Sequence, residues 1–409
     1  MSSLVRAAVV ATALMLCSTF AFAQNDATAP TATAADWPAL LQERETKLAA
    51  LQDIRTKLPD AQGQEAADLR AEGVKLLDEI FNDLFPRMRA SAVDLLKGDT
   101  VDQASLDVIA ELAYRTLKEN KFAEAGVLAD ALVSKAPPIP AEPEEDAPDY
   151  EQKKRDRDQI LTLHAQALNI AGVCHFATQD FERSAELLNT AQEQNLLIQE
   201  LGAQYIDSAA SYIEYWKEEL ALREKEAQLP EAERLPRVEL DTTRGKIVIE
   251  LFENEAPNTV ANFISLVESG FYDGTQFHRV LPSFMAQGGD PNTKPGATGD
   301  PGTGGPGYTI KCEWDQPNSR RHFAGTLSMA HAGRDTGGSQ FFLTHLPTAH
   351  LDKDVAVPVG RDAHTVFGRV VEGLDVVLSL RVNDTITSAR VLNKRDHEYK
   401  PETTPEPQQ

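Results

Sequence analysis

Residues 277–290 read Phe-His-Arg-Val-Leu-Pro-Ser-Phe-Met-Ala-Gln-Gly-Gly-Asp, and residues 326–343 read Thr-Leu-Ser-Met-Ala-His-Ala-Gly-Arg-Asp-Thr-Gly-Gly-Ser-Gln-Phe-Phe-Leu. These two blocks decide the fold of the second half of the chain. Around them the sequence has the character of strands and turns. Lys246-Ile247-Val248-Ile249-Glu250-Leu251 is a strand-like run, and all but six of the 24 glycines lie beyond residue 237. Tyr308-Thr309-Ile310 is a second strand-like segment, and Asn258 to Glu268 has the pattern of a helix.

The first half is written in a different period. From Asp36 to about Gln228 the apolar residues recur at helical spacing, with Leu48, Leu51, Ile54 and Leu58 in one stripe and Leu77, Ile80, Phe81, Leu84 and Phe85 in another. Lys97-Gly98 marks a helix end. Charge divides the same way. From Arg237 onward there are 17 basic and 22 acidic residues, against 23 and 41 before it, so most of the net −23 sits on the helical half. The boundary falls between Leu229-Pro230 and Pro236. Two windows align on a 34-residue template, Leu168, Ala171, Gly172, His175, Phe181, Leu188 and Ala191 in one, Ile109, Leu112, Phe122, Ala125, Ala129 and Pro137 in the other. Small residues at such positions let two antiparallel helices approach closely. The pattern is similar to the tetratricopeptide repeat, although Thr116 stands where an aromatic is usual. The resemblance implies a groove that docks a partner protein; an ordinary helical bundle explains the same residues.

The two opening blocks resemble the signature segments of the cyclophilin family of peptidyl-prolyl cis–trans isomerases. The flanks agree: Ala256-Pro257-Asn258-Thr259-Val260-Ala261-Asn262-Phe263 precedes them and His364-Thr365-Val366-Phe367-Gly368 follows. The resemblance spans 237–395 and implies a closed eight-stranded antiparallel barrel with two capping helices. It also implies roles. Arg279, Gln287 and His364 match the catalytic residues. Phe284, Met285, Phe342 and Leu351 match the proline pocket, and Gln340 a group that holds the substrate backbone. Ala330, His331 and Ala332 match the segment that runs beside the substrate chain; His331 departs from the usual Asn. His350 stands where the best-known eukaryotic members carry Trp, which implies weak inhibition by cyclosporin. The loop from Lys353 to Ala363 is longer than usual and is expected to reshape one wall of the pocket. Taken singly, Arg279 reads as a surface ion-pair residue and the apolar four as core.

The chemistry asked of such residues is modest. An X–Pro amide turns slowly because rotation sacrifices C–N double-bond character, a barrier of roughly 18–20 kcal/mol. The two isomers differ by only about 0.5–1 kcal/mol, so a catalyst need only lower that barrier. It needs an apolar slot for the ring and a fixed donor at the prolyl nitrogen, whose lone pair returns as the bond twists. No cofactor and no metal is expected. Gly302-Thr303-Gly304-Gly305-Pro306-Gly307 fits G-x-G-x-x-G, but Pro306 and the strand-like sequence after it argue against a phosphate loop. No histidine pair has H-E-x-x-H spacing, and neither Ser328 nor Ser339 lies in G-x-S-x-G.

Composition and the ends complete the reading. The 409 residues are 42% hydrophobic and 25% charged, as in globular proteins. The acidic excess argues against nucleic acid or an anionic membrane surface as partner. Residues 1–23 have the pattern of a signal peptide, with an apolar run ending in Ala21-Phe22-Ala23, which implies export to a bacterial periplasm or beyond and no membrane attachment after cleavage. Cys174 and Cys312 are expected as single buried thiols. The acidic segment Pro137–Tyr150 and the tail 396–409 are expected to be disordered. The sequence therefore implies an exported isomerase acting on proline-containing polypeptide clients during folding. The competing reading is a scaffold or chaperone whose barrel grips proline segments without turnover, partnered through the helices.

Overall fold

The computed structural model describes residues 32–406, so the expected signal peptide lies outside the described residues. The chain divides into two compact units, one up to Val101 and one from Asp102 onward.

The described part of the first unit holds three helices, α1 (Trp37–Lys57), α2 (Gly63–Asp78) and α3 (Phe85–Leu95), with a π-helical stretch Glu79–Leu84 between the last two. Of the apolar stripes read from the sequence, Ile54, Ile80, Leu84 and Phe85 are buried and the rest are half-buried; Trp37, Leu40, Met88 and Ala92, outside those stripes, complete the core. Pro86 is the second residue of α3, where the chain passes out of the π-helical stretch.

The second unit begins with five more helices: α4 (Gln103–Lys118), α5 (Phe122–Lys135), α6 (Tyr150–Ala177), α7 (Phe181–Glu193) and α8 (Ile206–Ala227). They form two helical hairpins and a closing helix. The two hairpin turns are alike: Asn120 and Gln179 take left-handed φ angles of 63° and 68°, each two residues before a buried phenylalanine, Phe122 or Phe181. Close approach explains the small residues. A Cβ on Gly172 would sit 2.6 Å from a methyl of Leu188, and one on Gly126 would sit 3.3 Å from Cys174. Helix α6 is long and apolar enough by composition to cross a membrane, but most of that stretch is buried among its neighbours, as in a core helix. The proline-rich insert before it, expected to be disordered, contains no helix or strand up to its last residue. It is held along α6 by Arg157 and His164, which bond the carbonyls of Pro140 and Pro137.

The sheet follows. Strands β1 (Arg237–Thr242), β2 (Gly245–Leu251), β3 (Arg279–Leu281), β4 (Met285–Gly288), β6 (Thr326–Met329), β7 (Phe341–Thr344), β8 (Val366–Glu372) and β9 (Ile386–Asn393) form one antiparallel sheet in the order β3-β4-β7-β6-β8-β2-β1-β9; β5 (Tyr308–Thr309) stands apart. The expected closed barrel is replaced by a curled sheet whose edge strands share no ladder. Gln276 spans the gap with single bridges to Asp290 and Thr385. The Gln276 N–H itself donates to the Thr293 hydroxyl (2.8 Å), while Gly274, Thr275 and Phe277 beside it keep backbone hydrogen bonds to Ile386, Asp384 and Asn383. The two caps are α9 (Pro257–Glu268) and, after the short α10 (Lys353–Ala356), α11 (Leu374–Ser379). The inner face packs Val238, Ile249, Phe263, Phe277, Phe341, Leu343 and Phe367 into one cluster.

The tail corrects a second expectation. Its described part is folded against the sheet, not disordered. Tyr399 is buried and donates to Glu253 (2.6 Å), Glu402 and Asn258 exchange two hydrogen bonds, and β10 (Thr404–Pro405) pairs with β5.

The helices of the second unit and the sheet share a buried seam. Phe323 packs against Tyr212 and Trp216 of α8 at centroid distances of 5.3 and 5.0 Å. Beside it Arg320, with its side chain 3% exposed, bonds Glu219 (2.7 Å), Glu255 (3.1 Å) and Glu226, while Arg369 reaches Glu219 (3.3 Å), Glu226 (2.8 Å) and Glu250 (2.5 Å). The change from helix to strand near residue 236 is thus not a change from one compact body to another. Cys174 and Cys312 are free thiols, the first buried and the second half-buried.

Candidate active site

Strand register assembles the site. Arg279 of β3 lies opposite Gln287 of β4, Gln287 opposite Phe342 of β7, and Phe342 opposite Ser328 of β6. One rung across four strands therefore aligns a cation, an amide and an aromatic ring. Because strand side chains alternate, Met285 shares their face, while Ala286, Leu327 and Leu343 belong to the inner core. Phe342 and Met285 are buried, yet they face away from that core and line a cleft of about 600 Å³.

Eleven of the twelve site residues expected from the sequence line this cleft: Arg279, Phe284, Met285, Gln287, Ala330, His331, Ala332, Gln340, Phe342, Leu351 and His364. The twelfth, His350, does not line it but packs on Phe284, ring centroids 5.3 Å apart and planes tilted by 37°. Polar groups run along one side. The Arg279 guanidinium is 3.5 Å from Oε1 of Gln287, whose amide donates to Oε1 of Gln340 (3.0 Å). The Gln340 amide in turn donates to the carbonyls of Gly302 (3.0 Å) and Gly304 (2.9 Å). This relay leaves an exposed guanidinium tethered at one edge of an apolar floor.

Histidines close another side. His364 donates through Nδ1 to the Met329 carbonyl (2.9 Å) and meets the edge of Phe342 at 5.4 Å. Burial, with the neighbouring His331 adding to it, pushes its pKa down to about 3, so the ring is neutral near pH 7. His331 stacks on it at 4.1 Å and bonds the Ala363 carbonyl (2.8 Å). That contact corrects the expectation for the long loop. None of residues 353–363 lines the cleft; the loop bears on it only through His331. Ala356 and Ala363 pack against Trp314 instead, which holds the loop aside.

Three parts of the cleft were not foreseen, one of them the stretch that brings Thr336, Gly338 and Ser339 to its lining. Gly302 to Gly305 form a wall, pinned by backbone N–H groups of Gly302 and Gly304 that donate to Asp290. A Cβ on Gly304 would fall 2.2 Å from Asp290 Oδ1, so this loop needs glycine for close approach. The glycine pattern was a usable signal, for a peptide-lined wall and not a phosphate cradle. Glu406 also reaches the cleft, brought there by the β10–β5 pairing, which no local pattern announces.

A curled antiparallel sheet carrying an apolar floor, a tethered guanidinium and amide side chains at its rim offers a cleft with room for an apolar group beside polar donors. No group in the cleft is arranged as a nucleophile activated by a base. Residues 237–396 match the family of cyclophilin type peptidyl-prolyl cis-trans isomerases, and the chain belongs to that family. It is 52% identical over 155 residues to the peptidyl-prolyl cis-trans isomerase of Synechococcus elongatus, covering 37% of this chain and 94% of that protein. It is 50% identical over 147 residues to peptidyl-prolyl cis-trans isomerase B of Bacillus subtilis, covering 36% and 91%. A crystal structure of a cyclophilin from Hirschia baltica matches at 28% identity, covering 38% of this chain and 73% of that one, with a TM-score of 0.31. The chain is thus a cyclophilin-type isomerase, carrying helices that these matches leave uncovered.

Proposed function

We propose that this isomerase is exported and speeds X–Pro isomerisation in polypeptide clients as they fold in a periplasm or outside the cell. The observation that carries the catalytic part is the placement of Arg279 beside the floor formed by Met285 and Phe342 in one cleft. The proline ring of a client enters between Phe284, Met285, Phe342 and Leu351. Burying such a ring releases apolar surface from water at about 25 cal/mol per Å² and fixes the X–Pro bond relative to the guanidinium. As the bond twists, the prolyl nitrogen becomes pyramidal, and Arg279 donates to its returning lone pair. The donor is already oriented through Gln287 and Gln340, so it favours the twisted state over both planar ones. Neutral His364 contributes shape and a polar edge, and Ala330 to Ala332 flank the client backbone.

Retention of Arg279 favours turnover over mere binding, since a proline-gripping scaffold has no use for it. The paired hairpin turns at Asn120 and Gln179 support reading the helices as repeat-like units that dock a protein partner. His350 in place of a tryptophan supports weak inhibition by cyclosporin. The test of the central reading is cis–trans exchange of an Ala-Pro peptide, followed by NMR on the full mature chain and its Arg279→Ala variant. Removing the donor is expected to lower kcat by at least tenfold with the fold unchanged. Exchange in the variant as fast as in the unmutated chain refutes the role of Arg279.

A further inference from the structure

We propose that two side chains of the helical region, Asn120 and Tyr212, are positioning residues for the isomerase cleft, each holding one of its apolar walls in place.

Asn120 occupies the turn between α4 and α5 and is 1% exposed. Its amide meets three partners, all from the sheet domain. Oδ1 accepts from the backbone N–H of Ser283 (2.7 Å), and Nδ2 donates to the Leu378 carbonyl (3.2 Å) and lies 3.3 Å from Nδ1 of His345. Ser283 directly precedes Phe284 and Met285 and has a left-handed φ of 56°, a conformation a serine seldom adopts. His345 closes the same turn from the other side, its N–H donating to the Phe284 carbonyl (2.9 Å). The wall made by Phe284 and Met285 is therefore fixed by a group that the sheet does not supply.

Tyr212 does the equivalent for the other wall. Its hydroxyl donates to Oδ2 of Asp352 (2.9 Å), next in sequence to Leu351. The other oxygen of Asp352 accepts from His322 through both its backbone N–H (3.0 Å) and Nδ1 (2.7 Å). His322 Nε2 lies 2.9 Å from the Ser328 hydroxyl, which donates to the Thr365 carbonyl (3.1 Å), and the His322 ring stacks on Phe342 within 6° of parallel. Serine, histidine and aspartate in this order resemble a hydrolytic triad, but all three are buried beneath the cleft, so no client carbonyl reaches the serine. The chain works as a strut from α8 to the underside of Phe342 and to Leu351. Burial, with the Asp352 carboxylate adding to it, raises the Tyr212 pKa, which keeps the hydroxyl a donor.

Both struts originate outside residues 237–396, the part shared with the family. The inference rests on the proline-pocket reading above, and the experiment separates the two. Full-length Asn120→Gly, Asn120→Asp, Tyr212→Phe, Arg279→Ala and Arg223→Ala chains are compared in the same exchange assay. Glycine suits the left-handed turn and deletes the amide; aspartate keeps the acceptor for Ser283; phenylalanine removes only the hydroxyl. Arg223 serves as control, because it bonds Glu219 (2.8 Å) on the same helix as Tyr212 without approaching either wall. Expected are losses of about tenfold in kcat/KM for Asn120→Gly and Tyr212→Phe, carried mainly by KM, as misplaced binding groups produce. Asn120→Asp, which keeps the acceptor for Ser283 but sets an oxygen against the Leu378 carbonyl, restores only part of the loss, and Arg223→Ala stays within twofold. The methyl resonance of Met285 shifts in Asn120→Gly but not in Arg223→Ala. If Asn120→Gly and Tyr212→Phe both keep kcat/KM within twofold while Arg279→Ala collapses, the positioning proposal is overturned and the pocket reading survives. If Arg279→Ala also retains full activity, both are overturned.

Discussion

Replacing Arg320 by methionine tests whether the buried ion cluster joins the helices to the sheet. The substitution keeps an unbranched stem over the ring of Phe252, where the guanidinium now lies 4.4 Å from the centroid, and removes the charge. Glu219, Glu226 and Glu255 then lose their shared cation. Arg369 remains, already engaged with Glu219, Glu226 and Glu250. Removing one partner of a buried pair costs about 3–5 kcal/mol, because the other is left charged and desolvated. The lost cation–π contact, about 0.5–2 kcal/mol, is part of that cost. Urea unfolding of the full chain at pH 7, followed by far-UV circular dichroism and tryptophan fluorescence, is expected to show a loss of 3–5 kcal/mol for the transition that includes α8. The gap must narrow toward pH 5. Without Arg320 the native carboxylates take up protons at a higher pH than those of the unfolded chain, so the variant gains stability relative to the unmutated protein as pH falls. Adding Glu255→Gln must recover part of the loss. A deficit below about 1 kcal/mol at pH 7, the size of an exposed pair, or one that does not narrow toward pH 5, refutes the reasoning.

Three further outcomes are expected, two from the structure and one from the sequence. Burial pushes His364 down to about 3 and His345 to about 4, so between these values and the ordinary histidine range the unfolded chain binds protons that the native rings refuse. Their contribution to stability is therefore full above about pH 6.5 and declines as pH falls toward 4, while kcat/KM stays level from pH 8 to 5 because His364 remains neutral. Urea midpoints across that range check the first, with His345→Gln expected to flatten the slope, and a midpoint that rises on acidification contradicts it. For export, the mature protein recovered from the cell envelope is expected to begin at Gln24; an intact Met1 in that fraction is incompatible with cleavage after Ala23.

Much of the site was legible because its chemistry is carried by contiguous residues. The blocks at 277–290 and 326–343 hold nine of the cleft's expected residues, and strand alternation alone places Met285 and Gln287 on one face. The helix of Asn258 to Glu268 and the strand at Tyr308 were legible for the same reason: a local period reports local structure. The glycine run at 302–307 was read for what it is not, since glycine records only that something comes close. In this case that something is Asp290.

The sequence by itself determined the family, eleven of the residues that line the cleft, the helical character of the first half and the place where helix gives way to strand. These are properties of neighbours along the chain, where side-chain period and backbone preference act. Tertiary structure alone decided that the helices from Asp102 onward are built into the same body as the sheet, that the described tail folds back as β10, and that the segment 274–277 bridges the sheet's ends without extending either edge strand. It also decided that Asn120 and Tyr212 reach the underside of the cleft, 163 residues from Ser283 and 140 from Asp352 in sequence. Such contacts leave no period, because an asparagine in a turn or a tyrosine on a helix satisfies its local rules whatever its distant partner is.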